Sequence, residues 1–144
     1  GKLTQFADEN NIGLFYRNIP ETKSFSLPGC VVLDKDYIYH PGQETVALAY
    51  GIASCYYENF YTANNSKLDR RRADVKNSKF SFAHVLPHES IMEAVEEGYT
   101  EPYEIAKHLR LPVRFVAAAC FYDQNGYMMP ENLLEEYPDE VPHD

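Results

Sequence analysis

The sequence predicts an α+β fold, with a small antiparallel sheet of about three strands packed on a helical bundle around a central buried helix. Three observations carry this. Pro20, Pro28, Gly29, Pro41 and Gly42 punctuate the first part of the chain densely, and longer stretches follow. The short segments between those breaks are rich in Val, Ile, Phe and Tyr, as strands are. Residues 43–61 place Val46, Leu48, Ala49, Tyr50, Ile52, Ala53 and Tyr57 on more than one side of a helical wheel, the pattern of a helix covered on several faces.

In order along the chain, a short helix is expected over residues 2–9. Strands are expected over 12–19, 24–27, 30–33 and 37–40, and the core helix over 43–61. Asn64, Asn65 and Ser66 supply caps for a second helix over 67–86, with Leu68, Val75, Phe82, Ala83 and Leu86 as its apolar stripe. Pro87 ends it. A short helix over 89–97 closes at Gly98, and Thr100 caps the next one, which carries Ile105, Ala106 and Leu109. Pro112 suits the first turn of a last helix running to about Tyr122. Residues 131–144 hold six acids and no Lys or Arg, so they read as a solvated acidic tail behind a single domain over 1–130.

The chain has 144 residues, a net charge of −9, and 44 % hydrophobic and 14 % aromatic content, enough for a real core. That class is soluble and globular. An acidic balance repels phosphate backbones and anionic lipid, so direct nucleic-acid binding is not expected. No apolar run approaches the roughly 20 residues that span a bilayer. The first eleven residues contain no apolar signal core, so the expected location is the cytoplasm. Gly1 stands where Met would, the mark of a processed or tag-derived start. Cys30, Cys55 and Cys120 are odd in number and form no CxxC pair, which points to inert reduced thiols.

Three patterns bear on function. His84 and His88 stand four apart, a zinc-ligand spacing on a helix, but Pro87 directly before His88 breaks the helical register. Residues 103–121 have the outline of a helix-turn-helix unit, yet the second helix offers only Arg114 to base edges among apolar neighbours. Lys67, Arg70, Arg71, Arg72, Lys76 and Lys79 gather 6 of the 13 cations in one helix. That run is either a solvated face or a dock for an acidic segment, this chain's own tail included.

The segment from Arg70 to Pro87 carries Asp74, an aromatic Phe80 six residues on, and Val85-Leu86 closing before Pro87. With the small sheet and apolar helix before it and the helical segments after it, this order resembles the ImmA/IrrE family of zinc-metallopeptidase-like proteins over roughly residues 10–122. The resemblance implies a zincin-like plan with a His-Glu-x-x-His motif on the central helix. Tyr50 and Ser54 fall on its two ligand positions, Gly51 on the general-base position and Asp74 on the third-ligand position. None supplies the family's chemistry, since Tyr and Ser are poor zinc ligands at neutral pH and Gly carries no base. A pseudo-peptidase without a metal or other cofactor is expected, its Tyr50 hydroxyl near Asp74 or Ser54. Family members of bacterial phages, mobile elements and stress systems act on or bind helix-turn-helix repressors, so the resemblance implies a protein partner of that kind. Arg70, Arg71, Arg72 and Lys76 are the candidate partner-binding residues. The alternatives are a zinc metallopeptidase with noncanonical ligands, with His84 or His88 as possible contributors, and a DNA-binding module over 103–121.

Overall fold

The computed structural model describes residues 1–19, 24–36, 40–60 and 66–143. The elements are α1 (Lys2–Glu9), β1 (Gly13–Arg17), β2 (Ser24–Leu27), β3 (Cys30–Asp34), α2 (Pro41–Tyr56), α3 (Lys67–Val85), α4 (His88–Glu96), α5 (Pro102–Leu109), α6 (Val113–Asn125) and α7 (Glu131–Leu134). The class is α+β, a small sheet packed on helices. The chain divides into two compact units, Gly1–Val85 and Leu86–Asp144. That boundary falls inside the single domain expected over 1–130.

In the first unit, β2 and β3 form an antiparallel hairpin through a turn in which Gly29 takes φ 82°, a left-handed conformation that suits glycine. β1 pairs with the other edge of β3 and runs parallel to it, with Phe15 opposite Val32. The sheet is therefore mixed, in the order β1-β3-β2, rather than antiparallel throughout. The reason is directional: β2 opposes both neighbours in sequence, so the chain changes direction twice and β1 and β3 run the same way. Residues 37–39 of the expected fourth strand lie outside the described residues.

Val31 and Leu33 of β3 are fully buried and α2 packs on the sheet. The Tyr16 hydroxyl donates to Glu44 of α2 at 2.5 Å. Burial, then the Glu44 carboxylate, pushes the Tyr16 phenol up to about 12. α2 ends at Tyr56, short of the expected Tyr61, which lies outside the described residues. There the Glu58 N–H donates to the Cys55 carbonyl at 3.2 Å and the Asn59 N–H to the Ser54 carbonyl at 2.8 Å. This closes the helix by a Schellman pair with Glu58 at φ 55°.

α3 has its most extensive interface with α2. Ser66 accepts from the Asp69 N–H at 3.1 Å, the capping expected of it, while Asn64 and Asn65 lie outside the described residues. The buried side of α3 is Ala73, Asn77, Phe80, Ser81 and Phe82. Of the expected apolar stripe Phe82 is buried, but Leu68 is 55 % exposed and Ala83 is exposed. Asn77 and Ser81 share the buried side instead, because they satisfy their hydrogen bonds inside the interface.

In the second unit, Glu101 rather than Thr100 is the N-cap of α5, its N–H bonded to the Glu104 carboxylate at 3.1 Å. α5 packs on α6, whose N-cap is Pro112. The segment expected as a solvated tail begins with α7 and then turns back onto α6. The Val113 N–H donates to the Glu140 carbonyl and the Arg114 N–H to the Pro138 carbonyl, both at 3.0 Å. The Arg114 Nε donates to the Tyr137 carbonyl at 2.9 Å, and Val141 is buried. Acidic composition read as solvation, but backbone carbonyls and one apolar side chain do the anchoring, satisfying donors that a helix start leaves free.

Candidate functional site

Tyr50 and Ser54 stand one turn apart on α2, which turns both toward α3. The Tyr50 hydroxyl donates to the Asp74 carboxylate of α3, one of the two partners, Asp74 or Ser54, expected for it. One turn deeper, the Asn77 side-chain amide donates to the Ser54 hydroxyl at 2.8 Å, and Ser54 donates to the Tyr50 carbonyl at 3.2 Å. The Asn59 amide donates to the Asn77 side-chain oxygen at 3.2 Å, and the Ser81 hydroxyl to the Asn77 carbonyl at 2.8 Å. Asn77 is fully buried, so this ladder replaces solvent for each polar group it contains.

Gly51 points the other way, into the sheet. A Cβ at this position would stand 2.6 Å from Cγ1 of Val31, and the Gly51 carbonyl accepts from the Ser26 hydroxyl at 3.2 Å. Position 51, which the resemblance would give a general base, therefore has no room for a carboxylate. The residues do not fit zinc. Tyr50 carries a phenol, Ser54 is committed to Asn77, and one Asp74 oxygen already accepts from Tyr50. Among the described residues no group of three or more His, Cys, Asp or Glu side chains converges on a common point.

Arg70, Arg71, Arg72 and Lys76 are all exposed on α3. Arg72 and Lys76 line a cavity with Glu58, Asn59, Phe60 and Asp69, and the Lys76 ammonium lies 5.8 Å from the Tyr57 ring centre. Arg70 and Arg71 are not among its lining residues.

No family model, curated protein or solved structure matches the chain.

The two histidines belong to different helices. His84, in the last turn of α3, stacks on Phe80 with ring centres 4.0 Å apart and places Nδ1 2.9 Å from the Phe80 carbonyl. His88 opens α4 and pairs with Asp123 of α6 at 2.8 Å, which raises its pKa. The cysteines are free thiols. Burial first, and then Cys30, raise Cys55, which bonds the Leu27 and Cys30 carbonyls. Burial and Asp123 push Cys120 up to about 11, so neither is an activated nucleophile.

Sequence reading missed Asn77 and Asn59. A signal for Asn77 was present. It stands four residues after Ala73 and three before Phe80, the helical spacing of a buried face. Asn59 gave none, because its role follows from where α2 stops.

Proposed function

We propose that the chain is a non-catalytic binding protein built on a peptidase-like plan, which recognises a protein partner through the basic face of α3. A helix-turn-helix regulator of a bacterial mobile element or stress system is the partner to test first. The observation that carries the reading is the exposed cluster of Arg70, Arg71, Arg72 and Lys76 on one helix of a chain whose net charge is −9. Such a segregated field steers an acidic partner segment to one place. The groups at the peptidase positions support the same reading, since Tyr50, Ser54 and Asp74 are engaged in fastening α2 to α3. The DNA-binding reading is less favoured. A groove-reading helix presents its first residues to bases, whereas the Val113 and Arg114 amides are covered by residues 138–140.

The test captures binding proteins from a lysate of the native host with the purified chain, and mixes any helix-turn-helix regulator recovered with the chain in purified form. The proposal expects a complex in which the regulator stays uncut, and binding at least about tenfold weaker with the Arg70→Glu, Arg71→Glu double variant. Zinc-dependent cleavage of the regulator, or binding indifferent to those charges, overturns it.

A further inference from the structure

The turn after α2 and the first half of α3 line an open surface cavity of about 260 Å³. Two acids, Glu58 and Asp69, and two bases, Arg72 and Lys76, line it together with Asn59 and Phe60. No salt bridge joins these four charges among the described residues, so the cavity is neutral in sum while its charges are not spent on one another. The fold does not need them for cohesion, because the Ser54–Asn77 ladder already fastens the two helices.

The walls are held in place. Glu58 sits at φ 55°, a left-handed conformation disfavoured for a residue with a Cβ, and the Schellman bonds at the end of α2 keep it there. Asn59, which also lines the cavity, is tied by its amide to the buried Asn77. Lys76 is steadied above the Tyr57 ring. Strained or tethered polar groups around a concavity are what a preorganised binding site requires.

We propose that this cavity binds a small zwitterion of the amino-acid class, its carboxylate held by Arg72 and Lys76 and its ammonium by Glu58 and Asp69. A lone anion would leave the two acids unanswered, and a lone cation the two bases. The volume lies just under the roughly 300 Å³ at which sites for drug-sized ligands begin, and it suits a molecule of this size. Phe60, partly buried, offers apolar surface to the ligand's side chain. The proposal goes beyond partner binding and does not rest on it, although both use Arg72 and Lys76.

The test titrates the full chain with each standard amino acid up to about 10 mM, following the Asn59 side-chain amide and the Arg72 Nε–H by NMR. At least one amino acid is expected to shift both signals. Its N-acetyl and carboxamide derivatives, which each lack one charge, are expected to bind at least about tenfold more weakly. Arg72→Gln and Glu58→Gln are expected to weaken binding to the same degree, while Lys107→Gln on α5, outside the cavity, leaves it unchanged. No shift with any amino acid overturns the proposal, and so does equal binding of the capped derivatives. The Arg70→Glu, Arg71→Glu variant separates this site from the partner surface, since it is expected to lose the partner and keep the zwitterion.

Discussion

The side-chain amide of Asn77 donates to the hydroxyl of Ser54 at 2.8 Å, with both groups buried where α2 meets α3. Asn77 also accepts from Asn59, so one side chain joins the interface to the turn that ends α2. Replacing Asn77 with Ala leaves the Asn59 amide without its partner and the Ser54 hydroxyl one bond short, at a cost of about 2–3 kcal/mol. Chemical denaturation measures it. A double-mutant cycle with Ser54→Ala should return a coupling of about 1 kcal/mol. Additive losses would mean that the two residues act separately.

Gly51 is set by the sheet. An added methyl would meet the stiff Val31 side chain at 2.6 Å, so Gly51→Ala should destabilise the protein by about 1–3 kcal/mol. Val31→Ala should relieve part of that clash in the double variant, so that the two losses do not add. A neutral Gly51→Ala would show that α2 is free to move off the sheet.

The helices were largely legible because their signals are local. Pro112 at a helix start, Ser66 as a cap and Pro87 after a stop act within a turn of where they stand, whereas Pro41, read as a break before a helix from residue 43, is itself the first residue of α2. The direction of β1 was not legible, since the same alternation of side chains serves parallel and antiparallel neighbours. The docking of residues 137–141 was hidden because main-chain carbonyls make the contacts, and every residue has one. The Tyr50 hydroxyl was expected near Asp74 or Ser54 only through the alignment that the family resemblance suggested, and it meets Asp74. The Asn77 ladder was obscured by a search for an apolar stripe on a helix whose buried side is partly polar.

The His88–Asp123 pair links the start of α4 to α6. Hydrogen bonding to Asp123, then its charge, raises the His88 pKa above its ordinary value near 6.5. The stabilisation is therefore fully present below that ordinary value and is lost as pH rises through the raised one. An NMR titration should place His88 above 6.5, and Asp123→Asn should return it toward that value. A His88 that titrates identically in both proteins would show that the pair does not form.

Removing residues 137–144 should uncover the first turn of α6. The loss of Val141 burial and of two backbone bonds should cost the second unit about 2–4 kcal/mol. Amide exchange at Val113 and Arg114 should accelerate more than elsewhere in α6. Unchanged protection at those two amides would show that the segment is dispensable.

Whether positions 50, 54 and 74 fasten two helices or hold a metal is decided most directly by elemental analysis of the protein purified from zinc-supplemented cells. The reading given to Tyr50, Ser54 and Asp74 predicts less than about 0.1 zinc per chain, unchanged in Asp74→Ala. About one zinc per chain, lost in Asp74→Ala, would contradict it.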